Sequence, residues 1–133
     1  MLINVPAVSD RKPAVIARLD ELLTANLGRP LHLAEICAAT GVAERTLRLY
    51  CQKHFGMGPV RYMWLRRMHL ARSALMHADP DTATVTRIAT EHGFLELGRF
   101  SVGYRTLFGE SPSVSLRRAQ RGPAFSETIA ESA

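Results

Sequence analysis

From Val15 onward, apolar residues recur at the spacings of three and four that one face of an α-helix requires: Val15, Ile16, Leu19, Leu22, Leu23 and Leu27. Ser9 or Asp10 can cap this first helix, with Pro13 tolerated in its first turn, and Gly28, Arg29 and Pro30 stop it. A short second helix is expected over 33–39, closed by Gly41, and a third over 43–55, closed by Gly56. Pro59 opens a long fourth helix that reaches about His77, where Asp79, Pro80 and Asp81 break it. Thr84 can cap a fifth that ends by Gly93, residues 96–108 form a sixth ending at Gly109, and Pro112 opens a seventh that stops near Arg118. No segment alternates long enough to propose a strand, so the expected fold class is all-α with seven helices. The domain proper is expected over residues 11–120. Residues 1–10 read as a linker or the end of an expressed fragment, and 121–133 as a flexible tail.

The helical pattern repeats. Ile36, Cys37, Gly41 and Val42 recur 52 positions later as Ile88, Ala89, Gly93 and Phe94. Leu47, Cys51, Phe55, Gly56 and Pro59 recur at 53 as Phe100, Tyr104, Phe108, Gly109 and Pro112, so one residue is inserted in the second turn. Two copies do not make a solenoid, which needs about three repeats. The pair reads as two similar modules, 31–58 and 84–120, joined by the long helix 59–77.

Each module has the parts of a helix-turn-helix. Its first helix carries a small residue at the crossing (Cys37, Ala89), its turn carries a glycine that accepts positive φ (Gly41, Gly93), and its second helix has apolar inward positions. The outward positions of that second helix are then free to enter a DNA groove. In module one they are Arg45, Thr46, Arg48 and Leu49; Arg45 and Arg48 lie one turn apart, close enough for both forks to reach neighbouring base edges or phosphates. In module two they are Leu97, Gly98, Arg99, Ser101 and Val102, a less polar set in which Leu97 or Val102 suits a thymine methyl. Module one is therefore expected to supply more hydrogen-bonded readout, and module two more apolar contact and backbone positioning.

Charge strengthens the nucleic-acid reading. The chain has 17 Lys/Arg against 12 Asp/Glu, and only Lys12 and Lys53 are lysines, so its cations are mostly the planar forks that suit phosphates and guanine edges. Seven of them fall between Ala43 and Arg72, where Glu44 is the only acid. Lys53, Arg61 and Arg105 are candidates for phosphate contacts, which set register without carrying sequence information. Arg66, Arg67 and Arg72 read equally well as solvated, and Trp64 is expected to be buried between the modules.

Other chemistry finds little support. Cys37 and Cys51 are too few for a four-cysteine zinc site and sit at apolar helix positions, and the five histidines lack ligand spacing, so no metal and no cofactor are expected. No nucleophile triad, phosphate-cradling glycine loop or carboxylate pair suggests an enzyme. No apolar run reaches the roughly 18 residues of a membrane span and no secretory pattern opens the chain, which leaves no membrane partner and points to the cytoplasm, at the nucleoid when DNA is bound. The alternative is a helical protein-interaction module whose basic charge is incidental.

The stretch TVTRIATEHGFLELGRFSVGYRTLFGESPSVSLRR (Thr84 to Arg118) resembles the C-terminal domain of AraC/XylS transcription regulators, and LAEICAATGVAERTLRLYCQKHFGMGPVRYMWLRRMHLARSAL (Leu33 to Leu75) resembles that domain's first half. The resemblance implies a homeodomain-like arrangement of two helix-turn-helix units on one long helix, and a bacterial activator or repressor that reads two successive major-groove segments of double-stranded DNA with helices 43–55 and 96–108. Carried over by position, its base-reading residues fall on the nine outward positions named above. Leu49 and Val102 stand where the family often has arginine, and Ala43 where a capping serine is usual, an exchange that typically costs about 1 kcal/mol. The resemblance also raises RNA polymerase and an N-terminal effector or dimerisation domain as partners, the chain being either a stand-alone reader or a C-terminal piece.

Overall fold

The computed structural model describes residues 8–119, with side chains from Arg11 onward. The readings of residues 1–7 as a linker and of 121–133 as a tail lie outside the described residues. Among those described, all regular structure is helical: α1 Val8–Ala25, α2 Leu33–Thr40, α3 Glu44–Phe55, α4 Pro59–His77, α5 Val85–Glu91, α6 Leu97–Phe108 and α7 Pro112–Arg118. The all-α, seven-helix expectation holds.

The largest departure is at the start. Helix α1 begins at Val8, so Ser9 and Asp10 lie inside it rather than capping it, and Pro13 falls beyond the first turn. Proline's fixed φ is itself helical; what it removes is one backbone hydrogen bond, and the helix continues through that loss. The other end closes at Ala25, earlier than the apolar period suggests. There the Asn26 amide donates to the Leu22 carbonyl at 2.7 Å, and the Arg29 guanidinium reaches both Asn26 and Glu35.

The contacts divide the chain within α4, between Leu65 and Arg66. In the first unit, α1, α2 and α3 pack on one another around Val15, Ile16, Leu19, Leu23, Ile36, Val42, Leu47, Tyr50 and Cys51, and Met63 of α4 joins them. Phe55 stacks on Tyr62 with ring centroids 3.8 Å apart, and the Tyr62 hydroxyl donates to Asp20 of α1 at 2.8 Å. That pair fastens the first turn of α4 to both α3 and α1. Burial pushes the Cys51 thiol up to about 11, as fits a small core residue.

In the second unit, α5, α6 and α7 pack together. An aromatic ladder runs from Phe94, in the turn before α6, along the inner face of that helix to Phe100, Tyr104 and Phe108, with neighbouring centroids 4.7, 5.6 and 4.6 Å apart. The repeat predicted these inward positions: Leu47 and Phe100 are buried, as are Cys51 and Tyr104, and Pro59 and Pro112.

Candidate nucleic-acid interface

Each unit contains a helix-turn-helix, and the two turns close differently. In the first, α2 ends at Thr40, Gly41 takes φ +75°, and its N–H donates to the Cys37 carbonyl at 2.9 Å; three residues later α3 begins. In the second, Gly93 takes φ +88°, its N–H donates to Thr90, and the Phe94 N–H reaches back to Ala89, both at 3.0 Å. This is the double hydrogen bond of a Schellman motif, against the single one of the αL motif in the first unit. The inserted residue and a shorter α5 together lengthen the second turn to 92–96. Phe94, thrown inward by that turn, packs against Phe100.

The second helices each begin one residue later than the expected starts at Ala43 and Glu96, because those two residues are extended and occupy the cap positions, and one side-chain cap is missing. Ala43 precedes α3 and offers no side-chain acceptor, whereas Glu96 precedes α6 and accepts from the Gly98 N–H at 3.3 Å. With Leu47, Tyr50 and Cys51 buried, α3 turns Arg45, Arg48 and Leu49 to solvent, while Thr46 is half-buried. With Phe100 and Tyr104 buried, α6 exposes Leu97, Gly98, Arg99 and Val102, and Ser101 is half-buried. Lys53, Arg61 and Arg105 are exposed, and the Arg61 guanidinium lies 4.7 Å from the Trp64 ring centroid. Trp64 is thus half-buried under a cation rather than enclosed.

Of the three arginines that read equally well as solvated, two are drawn inward. Arg67 is buried and donates to the His92 carbonyl at 3.1 Å, serving the last turn of α5. Arg72 is half-buried, its guanidinium 4.7 Å over the Phe108 ring. Carbonyls and aromatic faces distant in sequence draw them in, whereas Arg45, Arg48 and Lys53 of α3, Arg61 of α4, and Arg99 and Arg105 of α6 stay exposed.

Sequence reasoning also passed over four exposed residues at these helices. Glu44 pairs with Arg48 at 3.2 Å within α3, and Gln52 lies seven residues beyond Arg45, on the same outward strip. Glu96 and Leu95 flank the start of α6. The helical period alone would have found Gln52.

The sequence model of the helix-turn-helix domain family matches residues 36–118. A solved structure described as a probable AraC family transcriptional regulator from Rhodopseudomonas palustris aligns at 33% identity with TM-score 0.68, over 80% of this chain and 97% of that one. The chain belongs to the AraC-type helix-turn-helix family.

Other members bear on the extent of the likeness. An AraC-type DNA-binding regulator from Chromobacterium violaceum is 27% identical at TM-score 0.73, over 84% of this chain and 95% of that one. A "Probable thc operon regulatory protein" of Rhodococcus erythropolis is 38% identical over 105 residues, 79% of this chain and 32% of its own length. The XylDLEGF operon transcriptional activator of Pseudomonas putida is 33% identical over 104 residues, 78% of this chain and again 32% of its own length. This AraC-type chain therefore spans about a third of these two regulators. Family and relatives are DNA-binding regulators of transcription rather than enzymes. No helix among the described residues is long and apolar enough to cross a membrane, and none of those residues forms a group of three or more potential metal ligands.

Proposed function

We propose that this AraC-type domain reads two successive major-groove segments of one double-stranded DNA site, with α3 as one reading helix and α6 as the other. One observation carries the reading: the first two turns of α3 and the first turn of α6 hold guanidinium groups in solvent (Arg45, Arg48, Arg99) while the opposite faces of the same helices are buried. In the major groove, Arg45, Arg48 and Thr46 meet base edges by hydrogen bonding, and Leu49 packs beside them. Leu97, Gly98, Ser101 and Val102 do so mainly by contact. Lys53, Arg61 and Arg105 supply phosphate contacts.

An interaction module with incidental charge would be favoured by arginines buried in carboxylate pairs. Arg48 has a carboxylate partner, but both groups are more than half exposed, and Arg45 and Arg99 have none among the described residues. Two further partners belong to the proposal. The activator role printed for the Pseudomonas putida relative supports contact with RNA polymerase, and the relatives' greater length supports an N-terminal effector or dimerisation domain. DNA as the ligand implies the cytoplasm, and the nucleoid when bound.

Selection of bound sites from random duplexes tests the reading. Two recognised segments about 10 bp apart are expected, with log K falling by about 0.9 per phosphate neutralised as log salt rises. Binding to a single segment would reduce α6 to an anchor. Absence of salt-sensitive duplex binding would remove the proposal.

A further inference from the structure

We infer that α6 recognises thymine by its C5-methyl group, across a low apolar ridge made by Gly98 and Val102. This deepens the proposal for α6 and rests on it. The two residues are four apart, so they lie one above the other on the outward face of the helix. Val102 is 70% exposed, and its isopropyl group takes no part in the buried core.

Gly98 is the more telling of the pair. The positive-φ glycines among the described residues are Gly41, Gly56, Gly93 and Gly109, so Gly98 is not required by its backbone conformation. A Cβ built on it would meet only Glu96 Oε1, at 3.4 Å, an ordinary contact with the end of a flexible side chain. Nothing inside the fold calls for glycine here, and glycine is the poorer helix former than alanine. What a missing side chain supplies is closeness, because the helix backbone can come within van der Waals distance of a ligand.

The chemistry of the ridge then selects the ligand. Glycine and valine side chains offer no donor or acceptor to a base edge, and Leu97 and Leu95, 40% and 73% exposed, extend the same apolar character beside them. The apolar group that the major groove of unmodified DNA presents is the thymine methyl. Arg99 and Arg105 stand three residues before and three after Val102, both exposed, so cations bracket the ridge on its own helix. That charge suits a phosphate-lined groove and opposes a purely apolar protein surface.

The test uses the full 133-residue chain and the duplex found by site selection, with binding followed by fluorescence anisotropy. Each thymine in the α6 segment is replaced singly by deoxyuracil, which removes the methyl and leaves the hydrogen-bonding edge intact. At one or two positions, binding should weaken about fourfold, the equivalent of about 0.8 kcal/mol for one buried methyl-sized group. Val102→Ala should weaken the thymine duplex and abolish its difference from deoxyuracil at that position. Gly98→Ala should keep or raise the melting temperature while weakening the thymine duplex several-fold.

Specific binding with deoxyuracil tolerated at every position of the segment overturns the thymine inference and leaves the DNA-reading proposal standing. Full discrimination retained by Val102→Ala, or Gly98→Ala binding like the parent chain, overturns the thymine inference in the same way. Loss of specific duplex binding by the parent chain overturns both. The base replacements leave the protein untouched, so the outcome does not depend on how well a variant folds.

Discussion

One carboxylate oxygen, Glu44 Oε2, lies 3.2 Å from both Nε and Nη2 of Arg48, one turn further along α3. The pair is exposed, so it adds little to stability. Its consequence is positional, because the guanidinium is held along the helix before any DNA arrives.

Arg48→Ala should weaken binding to the selected site by about 1 to 3 kcal/mol while leaving non-specific binding nearly unchanged, as measured by anisotropy on paired duplexes. Glu44→Gln removes the competing anion and should raise affinity for non-specific duplex, narrowing the ratio between the two sites. Equal weakening of all sequences by Arg48→Ala would reassign this arginine to phosphate contact.

Buried chemistry in the second unit gives a prediction about stability. Tyr104 Oη donates to Ser115 Oγ at 2.6 Å, Ser115 Oγ donates to Glu110 Oε2 at 2.5 Å, and Arg118 pairs with Glu110 at 2.9 Å. Ser115→Ala strands a fully buried phenol hydroxyl and should cost about 1 to 3 kcal/mol in urea unfolding. Tyr104→Phe leaves the serine still donating to Glu110 and should cost about 1 kcal/mol or less. A reversed order would show that the tyrosine hydroxyl is satisfied by some other group.

Two glycines should respond with opposite signs. Gly41 takes φ +75° with open space where a Cβ would stand, so Gly41→Ala suffers only from the backbone conformation, a penalty of roughly 1 to 2 kcal/mol. Gly58 has the same open space and no positive φ, so Gly58→Ala should be neutral or stabilise by up to about 1 kcal/mol by restricting the unfolded chain. Thermal melts of the two variants measure the contrast.

The Arg29 guanidinium, chiefly through its hydrogen bond, holds the Glu35 carboxyl at about 2, below the usual 4.5, and the His32 N–H adds to the effect. A depressed carboxylate value means that the folded state favours the charged form. The stabilisation is therefore complete above about 4.5 and is lost as pH falls towards about 2. Glu35→Gln should flatten the acid limb of a stability-against-pH curve in that window. Because the pair is exposed, 1 M salt should shrink the difference between the variants.

Several of these features are legible in the amino-acid order. The apolar period sets the helices, and the offset repeat marks Leu47 and Phe100, Cys51 and Tyr104 as equivalent inward positions. Thr84 reads as a cap, and its hydroxyl does accept from the Arg87 N–H. These are properties of residues within a turn or two of each other, where backbone geometry fixes which side chains share a face. The outward positions on α3 and α6 follow by subtraction, which is why the helical period suffices to name them.

Other outcomes depended on atoms far away in the chain. Arg67 and Arg48 look alike as charges on helices, yet one is buried against a carbonyl 25 residues distant and the other lies in solvent beside a carboxylate four residues back. Ser115 reads as an ordinary polar residue until Tyr104 is brought against it. Sequence alone determined the helices, the ends of α1 excepted, their inward stripes and the positions of the turns between them, because local sterics and burial periodicity act over short spans. Tertiary structure alone decided which polar groups are enclosed, because a buried cation or hydroxyl depends on a partner that folding brings to it.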